Sequence, residues 1–417
     1  MCRRAATLVA GLATGIAPYP HTDTVREGFP RHRRPALRVL VVVGTRPEMI
    51  KFLPIFRELA KRSTIELTTV LTSQHTDLIR PLIDLWGIRV DHDLDVMTKG
   101  QSLNELAARV IGRMDAVLAE ATPDVVLVQG DTTSALGAAM AAWHRRIPVA
   151  HLEAGLRTAC IDTPFPEEAN RRLISCLATL HFAPTQRNVA ALLSEGTPSS
   201  GVICSGNTIV DAVRLIHGSH IPSPTIARLL EDLAGQRIIV LTTHRRESFG
   251  TVLRDRLRTL RRFVQTRPDL HVVFPVHPNP QVSEVATEEL GTAKRFHLLP
   301  PLDYPDFLHL LGASWAIVSD SGGIQEEAPS LGKPLLILRS ETERPEVIEC
   351  GVARLVGQSV EQFRAALEDL DAPDSWASKI GQTPNPFGKG DSARLVVNAL
   401  LHWNEQRNVR APQEMMT

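Results

Sequence analysis

Cysteine is scarce and unpatterned. The five residues, Cys2, Cys160, Cys176, Cys204 and Cys350, are scattered, odd in number and contain no C-x-x-C pair. This argues against a disulfide framework and a structural zinc site, and suits a reducing compartment, so the expected location is the cytoplasm. No H-E-x-x-H or Cys/His ligand spacing occurs among the 15 histidines, so no metal is expected. There is no run of 18 apolar residues to span a membrane. Net charge is also lacking: 46 basic residues balance 46 acidic ones, which gives no reason to expect a nucleic-acid or membrane partner. A G-x-G-x-x-G fingerprint, a P-loop and a G-x-S-x-G elbow are missing too. That lowers the standing of a dehydrogenase, a P-loop NTPase and a serine hydrolase.

What is present is a long alternation. A chain of 417 residues, 43% hydrophobic and 22% charged, suits a globular protein of two domains. Residues 1–36 form an Arg-rich, Pro- and Gly-broken extension, expected to be disordered or an over-extended start rather than a cleaved signal. From Leu37 the pattern changes. Arg38–Val43 is a continuous apolar run, as in a parallel strand buried on both faces. Gly44 punctuates it. Pro47 then opens a helix whose apolar face holds Met49, Ile50, Leu53, Phe56 and Leu59.

The same unit repeats. Strands are predicted at 65–71, 124–129, 147–152, 179–183 and 201–204, then at 237–242, 271–276, 296–299, 315–319, 334–338 and 353–356, with helices between most of them. Such alternation reads as α/β, with parallel sheets joined by right-handed crossovers. The expected division is a first domain over 37–205, a second over 206–380, and a C-terminal helix in 381–417 packing back on the first. Two such sheets leave a cleft at the carboxyl ends of their strands, where ligands bind in open α/β folds.

Polar clusters fall at those strand ends. Asp320-Ser321-Gly322-Gly323-Ile324-Gln325-Glu326-Glu327 follows an apolar strand and opens a helix. Its glycines permit close approach, and the helix start offers free N–H groups to a diphosphate, with Glu326 or Glu327 placed to reach a ribose. A plain glycine turn before an acidic helix start explains the same residues equally well. Arg46, in Gly44-Thr45-Arg46-Pro47-Glu48, can bind phosphate bidentately or simply face solvent. Asp131, Glu153 and Glu167 all end strands or start helices in the first half. Capping explains any one of them; three converging on one cleft would form a proton-exchanging set. His244 stands beside Arg245 and Arg246 at a strand end, a cluster that an anion would relieve. His277 ends another strand.

Taken together, Gly44-Thr45-Arg46-Pro47-Glu48, Gln129-Gly130-Asp131-Thr132-Thr133, His151-Leu152-Glu153-Ala154-Gly155-Leu156-Arg157-Thr158, Pro166-Glu167-Glu168-Ala169-Asn170-Arg171, His244-Arg245-Arg246-Glu247-Ser248 and Ser321-Gly322-Gly323-Ile324-Gln325-Glu326-Glu327 resemble the non-hydrolysing UDP-N-acetylglucosamine 2-epimerases. The resemblance runs in order from about Val39 to Leu400. It implies two Rossmann-like domains facing across a cleft, as in GT-B glycosyltransferases, a homodimer, and no cofactor. The implied substrates are UDP-N-acetylglucosamine and UDP-N-acetylmannosamine, interconverted at C2 through 2-acetamidoglucal for cell-surface polysaccharide.

By the same resemblance Arg46, Ser321, Gly322, Gly323, Glu327 and Arg344 would hold UDP, while Asp131, Glu153, Glu167 and His244 would carry catalysis. Gln74, His75, Gln101, Arg245 and His277 match parts of an allosteric UDP-N-acetylglucosamine site. Ser73 and Thr76 depart from the usual pattern there, which weakens that part of the expectation. The rival readings are a hydrolysing epimerase, a GT-B glycosyltransferase and a silent nucleotide-sugar sensor.

Overall fold

The valine-rich run after Ala36 forms the central strand of the first sheet. The structure is a computed structural model and describes residues 36–74, 76–245 and 249–414, without the side chains of 76–78, 382 and 410–414. The expected N-terminal extension, His75 and Arg246-Glu247-Ser248 lie outside the described residues.

The first sheet holds β1 (Leu37–Val43), β2 (Ile65–Leu71), β3 (His92–Asp93), β4 (Val125–Gln129), β5 (Val149–Leu152), β6 (Leu180–Ala183) and β7 (Val202–Cys204). The second holds β8 (Arg237–Thr242), β9 (Leu270–Pro275), β10 (Phe296–Leu299), β11 (Ala316–Ser319), β12 (Leu335–Ile337) and β13 (Ala353–Leu355). All their pairings are parallel. The orders are β3-β2-β1-β4-β5-β6-β7 and β10-β9-β8-β11-β12-β13. The fold is α/β with two Rossmann-like parallel sheets.

Each order reverses once, between β1 and β4 in the first sheet and between β8 and β11 in the second. Crossovers leave in opposite directions at such a point, so the loops after those strands splay apart and open a crevice. The loops in question are Gly44–Arg46, Gly130–Thr132, Thr243–Arg245 and Asp320–Gly322. Four of the polar clusters in the sequence therefore sit at the two switch points.

The sheets are not independent bodies. One hydrophobic cluster runs from Val39 and Phe52 in the first half through Ile209, Val210 and Val213 to Val240, Leu308 and Leu335 in the second. The helix Thr208–Ser219 carries the middle of that bridge and packs on both Arg46–Ala60 and Gly322–Leu331. The last helix, Ser392–Glu414, packs on Arg46–Ala60 as well. Val396, Val397 and Leu400 are its buried contacts. Among the described residues no helix is long and apolar enough to cross a membrane.

Candidate active site

The helix Arg46–Ala60 is apolar on nearly every side, with Met49, Ile50, Phe52, Leu53, Ile55, Phe56 and Leu59 all buried. A charged residue inside such a helix must find a partner. Lys51 does so twice. Its Nζ lies 2.6 Å from each carboxylate oxygen of Glu153 and 2.8 Å from Oε2 of Glu326. Glu153 belongs to the first sheet and Glu326 to the second, so one ammonium joins the two halves of the crevice. Arg344 does the same: its Nε is 2.5 Å from Glu326 Oε1, its Nη2 3.6 Å from Glu153 Oε1, and its Nη1 3.1 Å from Glu343 Oε1.

Electrostatics separate the two shared carboxylates. Burial would raise Glu326, but Arg344 and Lys51 outweigh it and hold its carboxyl at about 2. Glu153 is pushed up to about 7 by burial and by the Glu326 charge, against Lys51 and Arg344. It also accepts a hydrogen bond from Gln129 Nε2. Its backbone is left-handed, φ 63°, a conformation rarely adopted by a glutamate. A carboxylate poised near neutrality on a constrained backbone is suited to moving a proton.

Asp131 sits after β4, half-buried. Its Oδ2 is 3.5 Å from Arg171 Nη1, and its backbone carbonyl accepts from Asn170 Nδ2 at 2.7 Å. Its recessed position raises the carboxyl, Arg171 opposes that, and the neighbouring Glu167 adds to it. The charges of Arg344 and Lys51 lower it too, so it lies within reach of the cations that hold Glu153. Glu167 starts the helix Glu167–Leu177 and reaches Asp131 by charge alone. Its neighbour Glu168 is structural: it is fully buried, holds Arg172 at 2.8 Å and accepts from Thr158 N at 3.1 Å. Under Asp131, His151 Nε2 bonds the Gly130 carbonyl at 2.7 Å. Burial drives that imidazole down to about 3, so it is neutral and Nε2–H is the donor.

The second sheet contributes the anion side. Ser321 precedes the helix Gly322–Leu331 and leaves its first N–H groups without a side-chain cap. A Cβ on Gly322 would lie 3.2 Å from Arg344 Nη1, so the guanidinium covers this helix start. Asp320, fully buried behind it, accepts from Thr243 Oγ1 at 2.8 Å, His244 N at 3.1 Å and Arg245 N at 3.1 Å. His244 Nδ1 is 3.1 Å from Asp320 Oδ1, which leaves the outer ring edge facing the crevice, 43% exposed. Burial would raise Asp320, but His244, Thr243 and the Arg245 N–H bring it to about 2. Glu327 lies one turn into the helix and takes a 2.9 Å hydrogen bond from Tyr304 Oη. Burial lifts Glu327 to about 7, while Tyr304 and the charge of Arg46 pull it down. Arg46, at the start of the helix after β1, is thus near enough for its charge to act on the Glu327–Tyr304 pair.

The two switch points therefore bring together an uncapped helix start with Arg344 over it, the carboxylates Glu153 and Glu326 joined by Lys51, and a partly exposed His244. Comparison with known proteins gives this arrangement a family. Residues 57–401 match the family model described as UDP-N-acetylglucosamine 2-epimerase. The chain belongs to the UDP-N-acetylglucosamine 2-epimerase family. It is 40% identical over 370 residues to a UDP-N-acetylglucosamine 2-epimerase of Neisseria meningitidis serogroup A, covering 88% of this chain and 99% of that one. It is 42% identical over 367 residues to a putative UDP-N-acetylglucosamine 2-epimerase of Thermotoga maritima, covering 88% and 97%. Among solved structures it resembles the Neisseria meningitidis UDP-GlcNAc 2-epimerase bound to UDP-GlcNAc, with TM-score 0.81 and 39% identity over 88% of this chain and all of that one. The kitacinnamycin glycotransferase shares the fold alone, at TM-score 0.60 and 16% identity.

Within this member of the family, the sequence-predicted residues gather unevenly. Glu153, Asp131, Arg344, Glu327, Arg46 and the Ser321–Gly323 turn gather about the two switch points, with His244 among them. Of the residues matched to a second, allosteric site, His277 lies next to His244, ring centroids 6.5 Å apart. Arg245 bears on the charge of Glu343. Gln74 accepts from Ser134 Oγ at 2.7 Å, behind the first loop. Gln101 is engaged by Arg109 and Thr98 instead. Lys51 and Tyr304 are not marked out by the sequence motifs, whereas Asp320 and Arg171 stand inside them without a role of their own. A lysine in an otherwise apolar helix was the available signal for the first; nothing local marked Tyr304.

Tyr304 offers a direct check. Replacing Tyr304 with Phe removes the hydrogen bond that holds the Glu327 carboxylate, which the family resemblance implies faces the nucleotide. The expected result is a rise of about tenfold in KM for the nucleotide-sugar, with kcat within about threefold of wild type. Steady-state kinetics would read it, and an unchanged KM would remove Glu327 from the nucleotide wall.

Proposed function

We propose that the chain interconverts UDP-N-acetylglucosamine and UDP-N-acetylmannosamine without releasing free sugar, by eliminating and re-adding UDP. One observation carries this reading: Glu153 of the first sheet meets Arg344 of the second beside the uncapped helix start after Ser321, with Asp131 within reach of the same positive charges. A glycosyl group and its diphosphate have such a boundary between them.

The chemistry follows from the substrate. The hydrogen on C2 has no carbonyl beside it, so direct abstraction faces a high barrier. As the C1–O bond to UDP breaks, C1 becomes electron-poor and the C2–H bond more acidic. A carboxylate takes the proton, the C–H electrons close the C1–C2 double bond, and 2-acetamidoglucal and UDP remain in place. UDP then re-adds to C1 while a proton returns to C2 from the opposite face. The charge that builds on the departing diphosphate is met by Arg344, Arg46 and the N–H groups after Ser321. Asp131, Glu153 and Glu167 form the acid/base set around the sugar, and His244 assists at the diphosphate edge. Closure of the two halves over the intermediate keeps water from capturing it.

The pH dependence has a defined sign. Glu153 acts as a base only when ionised, and its carboxyl is raised to about 7. Lowering the pH through about 7 should therefore decrease kcat, well before ordinary carboxylates titrate. A pH–kcat profile flat through neutrality would remove Glu153 from the proton step.

Incubation with UDP-N-acetylglucosamine in deuterated water tests the function. NMR should show UDP-N-acetylmannosamine carrying deuterium at C2. Free N-acetylmannosamine would point to hydrolysis, and unchanged substrate would overturn the epimerase reading.

A further inference from the structure

Glu48 takes no part in the steps above, yet it is one of the most enclosed carboxylates of the first half, 3% exposed. Its Oε2 accepts from Gly44 N at 2.5 Å and Thr45 N at 3.2 Å. Its Oε1 accepts from Thr132 Oγ1 at 2.7 Å, across 84 residues of sequence. A glutamate at the third position of a helix commonly reaches back to the preceding N–H, and that alone makes a capping box. Such a cap works equally well in solvent. Glu48 is instead buried, and burial lifts its carboxyl to about 7, with the nearby charge of Asp131 adding to the rise. Enclosing an acid beside a second acid is unfavourable, and capping gives too little to offset it.

The bond to Thr132 supplies the missing reason. Thr132 is the residue after Asp131, and its Oγ1 also accepts from Ala135 N at 3.0 Å. Gly44 and Thr45 immediately precede Arg46. Where the two loops touch there is no slack: a Cβ on Gly44 would lie 2.6 Å from Ser134 Cβ. We propose that Glu48 is a positioning residue, whose two oxygens buckle the Arg46 loop to the Asp131 loop and so fix the spacing between the phosphate-side and sugar-side groups. Asp131 is otherwise approached by Arg171, Asn170 and Glu167 of the helix Glu167–Leu177 and by the charge of Arg344, none of which belongs to the Arg46 loop, and by the charge of Lys51, which acts on it without a hydrogen bond. The role rests on the reading of Arg46 and Asp131 given under the proposed function.

The test removes each end of the buckle in turn. Thr132→Val keeps the shape and deletes the hydroxyl; Glu48→Ala deletes the other end. Each should lower kcat about 100-fold, the cost of a displacement near the reacting atoms, with the UDP dissociation constant changing less than about fivefold. Thr132→Ser and Glu48→Gln should restore kcat to within about fivefold of wild type, because both can still join the loops. Glu48→Gln does so with its carbonyl oxygen towards the N–H groups and its amide towards Thr132. A folded Thr132→Val protein with wild-type kcat would overturn the role, as would failure of both conservative variants to restore it. Wild-type protein is assayed alongside for deuterium at C2. If it shows none, the epimerase reading falls and this role with it; if it does and Thr132→Val is unimpaired, only this role falls.

Discussion

Replacing Glu153 with Gln should lower the epimerisation kcat by about a thousandfold, within the range that a positioned acid–base group contributes. The amide has nearly the same shape, and its single oxygen can still accept from Gln129 and Lys51 at the Oε2 position, while the second contact to Lys51 is lost. It cannot take up a proton. Lys51 keeps Glu326 as its counter-charge, 2.8 Å away, so the buried ammonium is not orphaned and the protein should remain folded. UDP affinity should be preserved, because Glu153 is not among the groups proposed to meet the diphosphate. The fall in kcat through neutrality should disappear with the group that causes it. Kinetics, calorimetric titration with UDP and a pH profile together separate this outcome from simple misfolding. A variant that keeps wild-type kcat would contradict the assignment.

Arg344→Met should be costly in a different way. The guanidinium is 12% exposed and contacts three carboxylates, those of Glu326, Glu343 and Glu153. Removing one member of a buried ion pair leaves its partner's charge unmet, an effect of about 3 kcal/mol or more. Lys51 still serves Glu326, and Arg339 still holds Glu343 at 2.9 Å, which keeps the loss at the lower end. UDP should bind about 100-fold more weakly, because the proposed charge-assisted contact to the diphosphate and the cover over Gly322 vanish together. Urea unfolding reads the first effect and titration with UDP the second. Unchanged stability would mean that Arg344 adds nothing to the joint between the halves.

These two residues show what could and could not be read from the chain. The strands at the switch points were legible because a strand buried on both faces is written as an unbroken apolar run, as in Val39–Val43. The polar residues just beyond such runs then had to lie at strand ends. Glu153 and Asp131 were recognisable for that reason. The two-residue strand His92–Asp93 has no such run. The sequence places the domain boundary at 205/206, and the helix Thr208–Ser219 just beyond it is the one that ties the halves together, a role its sequence does not declare. The pairing of Lys51 with Glu326 spans 275 positions, a tertiary fact with no local trace. Periodicity places Lys51 inside a buried helix, but only the folded chain shows which carboxylates meet it. The assignment of Glu327 to a ribose came by resemblance, and its tyrosine partner is visible only in three dimensions.

Cleavage of the bond between C1 and the diphosphate is the step on which the account depends. It can be observed without product formation. UDP-N-acetylglucosamine is prepared with a heavy-oxygen label in the bridge between C1 and the β-phosphorus, incubated with the protein, and examined by phosphorus NMR. Reversible elimination frees the β-phosphate to rotate before UDP re-adds, so the label should spread into the non-bridging positions of recovered substrate. A label that stays in the bridge while UDP-N-acetylmannosamine accumulates would mean that C2 inverts with the diphosphate still attached, and the proposed mechanism would be wrong.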